Sequence, residues 1–122
     1  MLKIIAASAL LAALTSLALA HGPAAWIGDN QIRNIAGSLC CGENDCGLYS
    51  SKDPADGTIE MVAGGYKVDA VFRGINKAGS HFSFRITAFV PFAEAMVSPT
   101  GDYWACAWGG QLRCFFAPPP GT

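Results

Sequence analysis

Tyr66-Lys67-Val68-Asp69-Ala70-Val71-Phe72-Arg73 and His81-Phe82-Ser83-Phe84-Arg85-Ile86-Thr87-Ala88-Phe89-Val90 decide the fold. In the first run Tyr66, Val68, Ala70 and Phe72 alternate with Lys67, Asp69, Val71 and Arg73. In the second, Phe82, Phe84, Ile86, Ala88 and Val90 alternate with a mostly polar set. A period of two places one set on the core side of a strand and the other on the solvent side. Between the runs, Asn76-Lys77-Ala78-Gly79 supplies the side-chain acceptor and the glycine of a hairpin turn.

The same reading extends outward from this hairpin. Thr58 to Ala63 is a short strand that ends at the Gly64-Gly65 turn, and Tyr103 to Trp108 with Gln111 to Phe116 makes a last hairpin around Gly109-Gly110. Pro91 and Pro99 mark an edge or crossing segment between them, and Ser98-Pro99-Thr100-Gly101 is a turn. Upstream, Asp29 is positioned to cap a short helix over Asn30 to Ala36 with Gly37 as its stop, although an irregular segment fits nearly as well. The expected fold is mainly β, with a small α+β arrangement as its variant. It is an antiparallel sheet of about five short strands, stapled by disulfides, with an irregular or short-helical N-terminal segment.

The chain has 122 residues and opens with Met1-Leu2-Lys3, an Ala/Leu/Ile-rich run and the small-residue site Ala18-Leu19-Ala20. These are the parts of a secretory signal peptide over 1–20, cut after Ala20, with Ala18 as the less favoured site. An N-terminal membrane anchor fits less well, because the run is short and ends in a cleavage site. Removing it leaves one small domain, 21–122, with 47 apolar residues in 102, an ordinary globular share. Its charge becomes −2 on 7 basic and 9 acidic residues, so there is no basic field to hold nucleic acid. No remaining apolar run reaches the roughly 18 residues of a membrane helix, so stable insertion is not expected after cleavage. The compact leader suggests a bacterial periplasm or the medium.

Cys40, Cys41, Cys46, Cys106 and Cys114 all follow the leader. Export makes disulfides the default for them, and the absence of a CxxC pair disfavours zinc. An odd count leaves one thiol over. Cys40 and Cys41 are neighbours and point to different partners. Whether Cys106 faces Cys114 depends on the hairpin: a two-residue loop sets Cys106 against Arg113, a three-residue loop against Cys114. The pairing stays open, with a preference for one bridge from the Cys40–Cys46 cluster to the hairpin, since that closes the longest loop and contributes roughly 4 kcal/mol in the chain-entropy model.

Candidate sites are few. No GxSxG, HExxH or phosphate loop occurs, and the carboxylates are scattered, so enzyme chemistry has little support beyond a leftover thiol lacking an evident base. After cleavage His21 would carry a free α-amine beside its imidazole, a pair of nitrogens suited to copper, with His81 as the second imidazole of a brace. The start His21-Gly22 resembles that of copper-dependent polysaccharide monooxygenases and small copper carriers. Trp104 and Trp108 share a strand face and form a candidate binding strip, unless they pack in the core.

His21, Trp26, Cys40-Cys41…Asp45-Cys46, Ser98-Pro99-Thr100-Gly101, Cys106, Cys114 and Pro118-Pro119 together resemble a set of small exported bacterial proteins that carry a Cys-Cys-x4-Cys cluster and a late Ser-Pro-x-Gly…Cys…Cys stretch. The resemblance spans most of the mature chain and implies export without implying an activity, ligand or fold. The expected function is therefore that of an exported, non-enzymatic, disulfide-rich module without a cofactor, acting by contacts with an unidentified protein partner at the cell envelope. The alternative is a periplasmic copper-binding protein using His21 and His81.

Overall fold

The computed structural model describes residues 23–119. The chain is mainly β. After helix α1 (Ala25–Asp29) come seven strands: β1 (Cys46–Leu48), β2 (Gly57–Val62), β3 (Gly65–Ile75), β4 (His81–Pro91), β5 (Ala95–Val97), β6 (Trp104–Trp108) and β7 (Gln111–Ala117). The five longer strands are those expected from the alternation. The two added ones, β1 and β5, have three residues each, too few for a period of two to show.

β3 is the spine. One of its edges pairs with β4 from Gly65↔Pro91 to Ile75↔His81 without a break. Its other edge is shared by β2, up to Gly57↔Ala70, and by β1 at Leu48↔Arg73. From β1 the sheet continues through β6 and β7 to β5. The sheet is not wholly antiparallel as expected. β5 runs parallel to β7, Ala95↔Phe115 to Val97↔Ala117, because the chain between Pro91 and Pro99 crosses from the β4 side to the far edge of β7.

The sheet curls, so its concave side forms one core and part of its convex side another. Inside lie Tyr66, Val68, Ala70 and Phe72 of β3, Ile86 and Val90 of β4, and Ala105, Phe115 and Ala117. Phe72 is stacked on Phe84, 5.7 Å between centroids. Gly74 belongs to this face too: a Cβ there would lie 2.4 Å from the ring of Phe82, so the glycine lets that ring lie on the strand backbone. The second core sits where β1, β6 and β7 meet the N-terminal segment, with Ile27, Cys40, Cys46, Trp104, Cys106, Cys114 and Phe116 buried together.

The N-terminal helix differs from expectation. Asp29 ends α1 rather than capping a helix after it. Asn30 closes the helix, its Nδ2 donating to the carbonyl of Trp26 at 2.6 Å, and Gln31 takes φ +49°. Residues 32–40 then form a small hairpin in which Arg33 bridges Leu39 and Gly37 takes φ +86°. What holds α1 is burial of Ile27 and the edge-on packing of Trp26 against Trp104 and Phe116, centroids 5.8 and 5.1 Å away.

Two bridges join these layers, Cys40–Cys114 and Cys46–Cys106. The Cys40–Cys46 cluster is thus tied to the hairpin twice, and Cys41, one of the five candidates, is the leftover thiol. The hairpin resolves its register by a route the sequence did not suggest. The loop has two residues, with Trp108 opposite Gln111, yet Cys106 faces Cys114, because a bulge between Cys106 and Ala107 leaves Arg113 unpaired. Cys106 and Cys114 face each other without bonding, each reaching back to a cysteine of the cluster.

Candidate binding surface

At the end of the sheet where β2 turns into β3, apolar side chains remain in solvent. Met61 points to the concave side at the last turn of β2, where the sheet ends before it can be covered, and is 61% exposed. Val62 and Phe89 flank Gly65 on the convex side, and Phe89 lies over the Gly64-Gly65 turn. Phe92 begins the turn Phe92–Glu94 that leads to β5. Its N–H donates to the carbonyl of Gly64 and its ring stands edge-on to Tyr66 at 5.4 Å. Val97 closes β5 at 64% exposure.

Between these residues runs a cleft of about 360 Å³, walled by Met61 and Tyr66 on one side, Phe92, Ala95, Met96 and Val97 on another, and Ala117 with Pro118. All the lining residues are apolar or aromatic. Burying a Phe, Met or Val side chain is worth about 1.5–3 kcal/mol, so a fold that leaves several of them together in water forgoes stability. Proline accounts for part of the arrangement, since Pro91 ends β4 and Pro118 ends β7, leaving this end of the sheet without further strands.

A second cleft, of about 500 Å³, lies across Pro118 and is mixed in character, with Tyr49, Tyr103, Ser50, Ser51, Lys52 and Asp102 on its walls. Tyr49 is fixed by its hydroxyl, which donates to the carbonyl of Gly57 at 2.8 Å. Burial holds the Tyr103 phenol above its ordinary pKa, with the neighbouring Tyr66 and Tyr49 phenols adding to the effect.

The sequence candidates fall in different places. Trp104 is buried at 3% exposure, and its indole N–H donates to Thr100 Oγ1 at 2.8 Å, so it does not face a ligand. Trp108 is 65% exposed at the hairpin tip with the Arg113 guanidinium 4.9 Å from its ring centroid. The pair therefore does not form one strip: the bulge and the covering α1 put one indole inside and leave the other outside. The Ser98-Pro99-Thr100-Gly101 motif is a structural support, with Ser98 buried and its N–H bonded to the carbonyl of Ala117.

His81 is exposed at the start of β4, and His21, its proposed partner, lies outside the described residues. Among the described residues no group of three or more His, Cys, Asp or Glu is placed to hold a metal ion. Cys41 is half-buried at φ +71°. Among the described residues no helix is long and apolar enough to cross a membrane.

Two ion pairs form among the described residues, Arg73 with Asp56 and Arg85 with Asp69. Arg73 grips Asp56 through two hydrogen bonds, and that contact holds the Asp56 carboxyl below the usual carboxylate value. Arg85, and then Thr87, do the same for Asp69 on the convex face of β3. Ile35, Leu39 and Trp108 are exposed elsewhere, but at the apolar end Met61, Phe92 and Val97 gather around one cleft. It was not legible in the sequence, because Met61, Phe92 and Val97 are separated along the chain and meet only when β5 crosses to β7. No protein-family model, curated protein or solved structure matches the chain.

Proposed function

We propose that this is an exported, non-enzymatic, disulfide-stapled module that acts by protein contacts at the cell envelope, and that the apolar end is its contact surface. The observation that carries the reading is the 360 Å³ apolar cleft rimmed by exposed Met61, Phe92 and Val97. Its volume suits one or two apolar side chains of a partner, the anchor-in-pocket arrangement that dominates many protein interfaces. Export is supported by the leader-like residues 1–20 and by two bridges of the kind that persist in oxidising compartments.

Two measurements test the proposal. The full chain, produced in a bacterium, is recovered from the periplasm or medium and weighed by mass spectrometry. A product beginning at His21 with two bridges and one thiol agrees with it, whereas an uncut cytoplasmic chain refutes export. A photo-crosslinking residue in place of Phe92 is then compared in living cells with one at Thr58, which is exposed on the convex face of β2. A discrete adduct from position 92, lost on Val97→Asp and absent at 58, identifies the surface. Identical outcomes at both positions refute it.

A further inference from the structure

β4 is an eleven-residue strand that, among the described residues, has a partner strand on one edge only. Which of its groups face the open edge follows from two bonds that continue the β3–β4 ladder at its ends. The N–H of Phe92 donates to the carbonyl of Gly64, and that of Asn76 to the carbonyl of Ser80. Even-numbered residues therefore exchange bonds across the ladder, and the odd-numbered ones turn their N–H and C=O away from β3. His81, Ser83, Arg85, Thr87 and Phe89 present these groups to the open edge, with exposed side chains on the convex face.

Such an edge is a template for another strand, and proteins blunt it with bulges, inward-pointing charges, proline or brevity. Before Pro91 β4 has no bulge, proline or inward-pointing charge, and its one charged edge residue, Arg85, is paired with Asp69 of β3. Its register is continuous over eleven pairs, and its core-facing residues are Phe82, Phe84, Ile86, Ala88 and Val90. Phe82, Phe84 and Ala88 are only half-buried, and among the described residues no strand lies beyond them. At its Val90 end the edge is approached by the Asn34–Ala36 turn and by Leu112 and Arg113 of β7, which share a small cleft with Val90 and Glu94.

We infer that this edge pairs antiparallel with β4 of a second copy of the chain, about a two-fold axis at Ile86. The sequence is self-complementary in that register. Arg85 falls opposite Thr87 of the other copy and Ser83 opposite Phe89, so no like charges lie directly opposite, and each Arg85 stays paired with its own Asp69. On the core side Phe84 falls opposite Ala88 and Phe82 opposite Val90, large against small. Centring the axis on Arg85 would instead oppose two guanidinium groups. The four odd-numbered pairs from Ser83 to Phe89 would form about eight backbone hydrogen bonds. A second chain is favoured over an unrelated peptide because both the charge pattern and the size pattern are satisfied by the strand's own sequence. The interface is separate from the cleft between Met61 and Val97.

The test uses the full mature protein with both bridges formed, in a Cys41→Ser background. Sedimentation equilibrium should show a reversible dimer. Ser83→Pro removes a donor that faces the open edge, costs no bond to β3, and should weaken the dimer by about a hundredfold, since each copy loses one hydrogen bond and meets the proline ring. Ser83→Ala keeps the N–H and should leave it intact. Far-ultraviolet dichroism and the disulfide map check that both variants fold. A nitroxide at position 81, introduced as His81→Cys, should give an intermolecular distance of about 34 Å, ten residues at strand spacing. A protein that stays monomeric at about 1 mM, a dimer indifferent to Ser83→Pro, or a clearly different distance overturns the inference.

Discussion

The two disulfides are nested, and that makes their contributions interdependent in a measurable way. Cys40 and Cys114 are 74 residues apart, Cys46 and Cys106 are 60 apart, and the shorter span lies within the longer. Either bridge alone closes a loop worth about 4.4 kcal/mol in the chain-entropy model. With one bridge in place, the other closes only the short ring formed by residues 40–46 and 106–114, worth about 3 kcal/mol. Replacing one pair by alanine should therefore cost about 3 kcal/mol plus the lost sulfur packing. Removing the second pair should cost about 1.4 kcal/mol more than removing the first. Packing losses recur equally in the single and double variants and cancel in the double-mutant cycle. A domain of this size has about 5–15 kcal/mol in all, so a combined loss of about 7.4 kcal/mol plus packing should leave the double variant largely unfolded. The assay is urea unfolding followed by tryptophan fluorescence, to which buried Trp104 and half-buried Trp26 contribute, in a Cys41→Ser background that prevents re-pairing. The double variant is read in a stabilising osmolyte series extrapolated to zero. Strictly additive losses, or a second loss smaller than the first, would refute the nested-loop reasoning.

Gly74→Ala should destabilise by about 1–3 kcal/mol in thermal or urea unfolding, because its Cβ would meet the Phe82 ring at 2.4 Å and the Cys46 carbonyl at 2.8 Å. Trp104→Ala should cost about 3–5 kcal/mol while Trp108→Ala stays within about 0.5 kcal/mol, which separates the buried indole from the exposed one. Asp56 has a lowered folded-state pKa because Arg73 bonds its carboxylate. Its stabilisation is therefore present above the ordinary value of 3.8 and lost as pH falls through the lower folded value. In unfolding midpoints measured from pH 6 downward, Arg73→Gln should lose stability above that window and show a flatter decline within it. Burial raises the Tyr103 pKa, so its neutral form is favoured in the folded state. Stability should fall as pH rises past about 10, and Tyr103→Phe should reduce that fall in alkaline unfolding scans.

The long strands could be read because each buries one face along most of its length. Alternation over Tyr66–Phe72 and Phe82–Val90 is a local signature of that burial. β1 and β5 could not be read this way: three residues carry no period, and both exist because longer strands already stand beside them. The helix was misplaced for a related reason. Asp29 and Gly37 are sound helix punctuation, but Asn30 and Asn34 use their side chains to bond backbone groups in turns, and Ile35 finds no core to enter at 71% exposure. The hairpin register depended on a bulge, which leaves no mark in the residue types of Trp108 to Gln111.

By itself the sequence determined the β class, the leader-like first twenty residues, an odd number of cysteines and the absence of any familiar catalytic motif. These are properties of composition and of neighbours in the chain, and a period of two or a small-residue site needs nothing distant to be recognised. The tertiary structure decided which cysteine is left free, which tryptophan is inside, and where the exposed apolar side chains meet. Each of those outcomes depends on contacts between residues 20 to 90 positions apart, set by sheet curl, a bulge and one parallel crossing that no local pattern encodes.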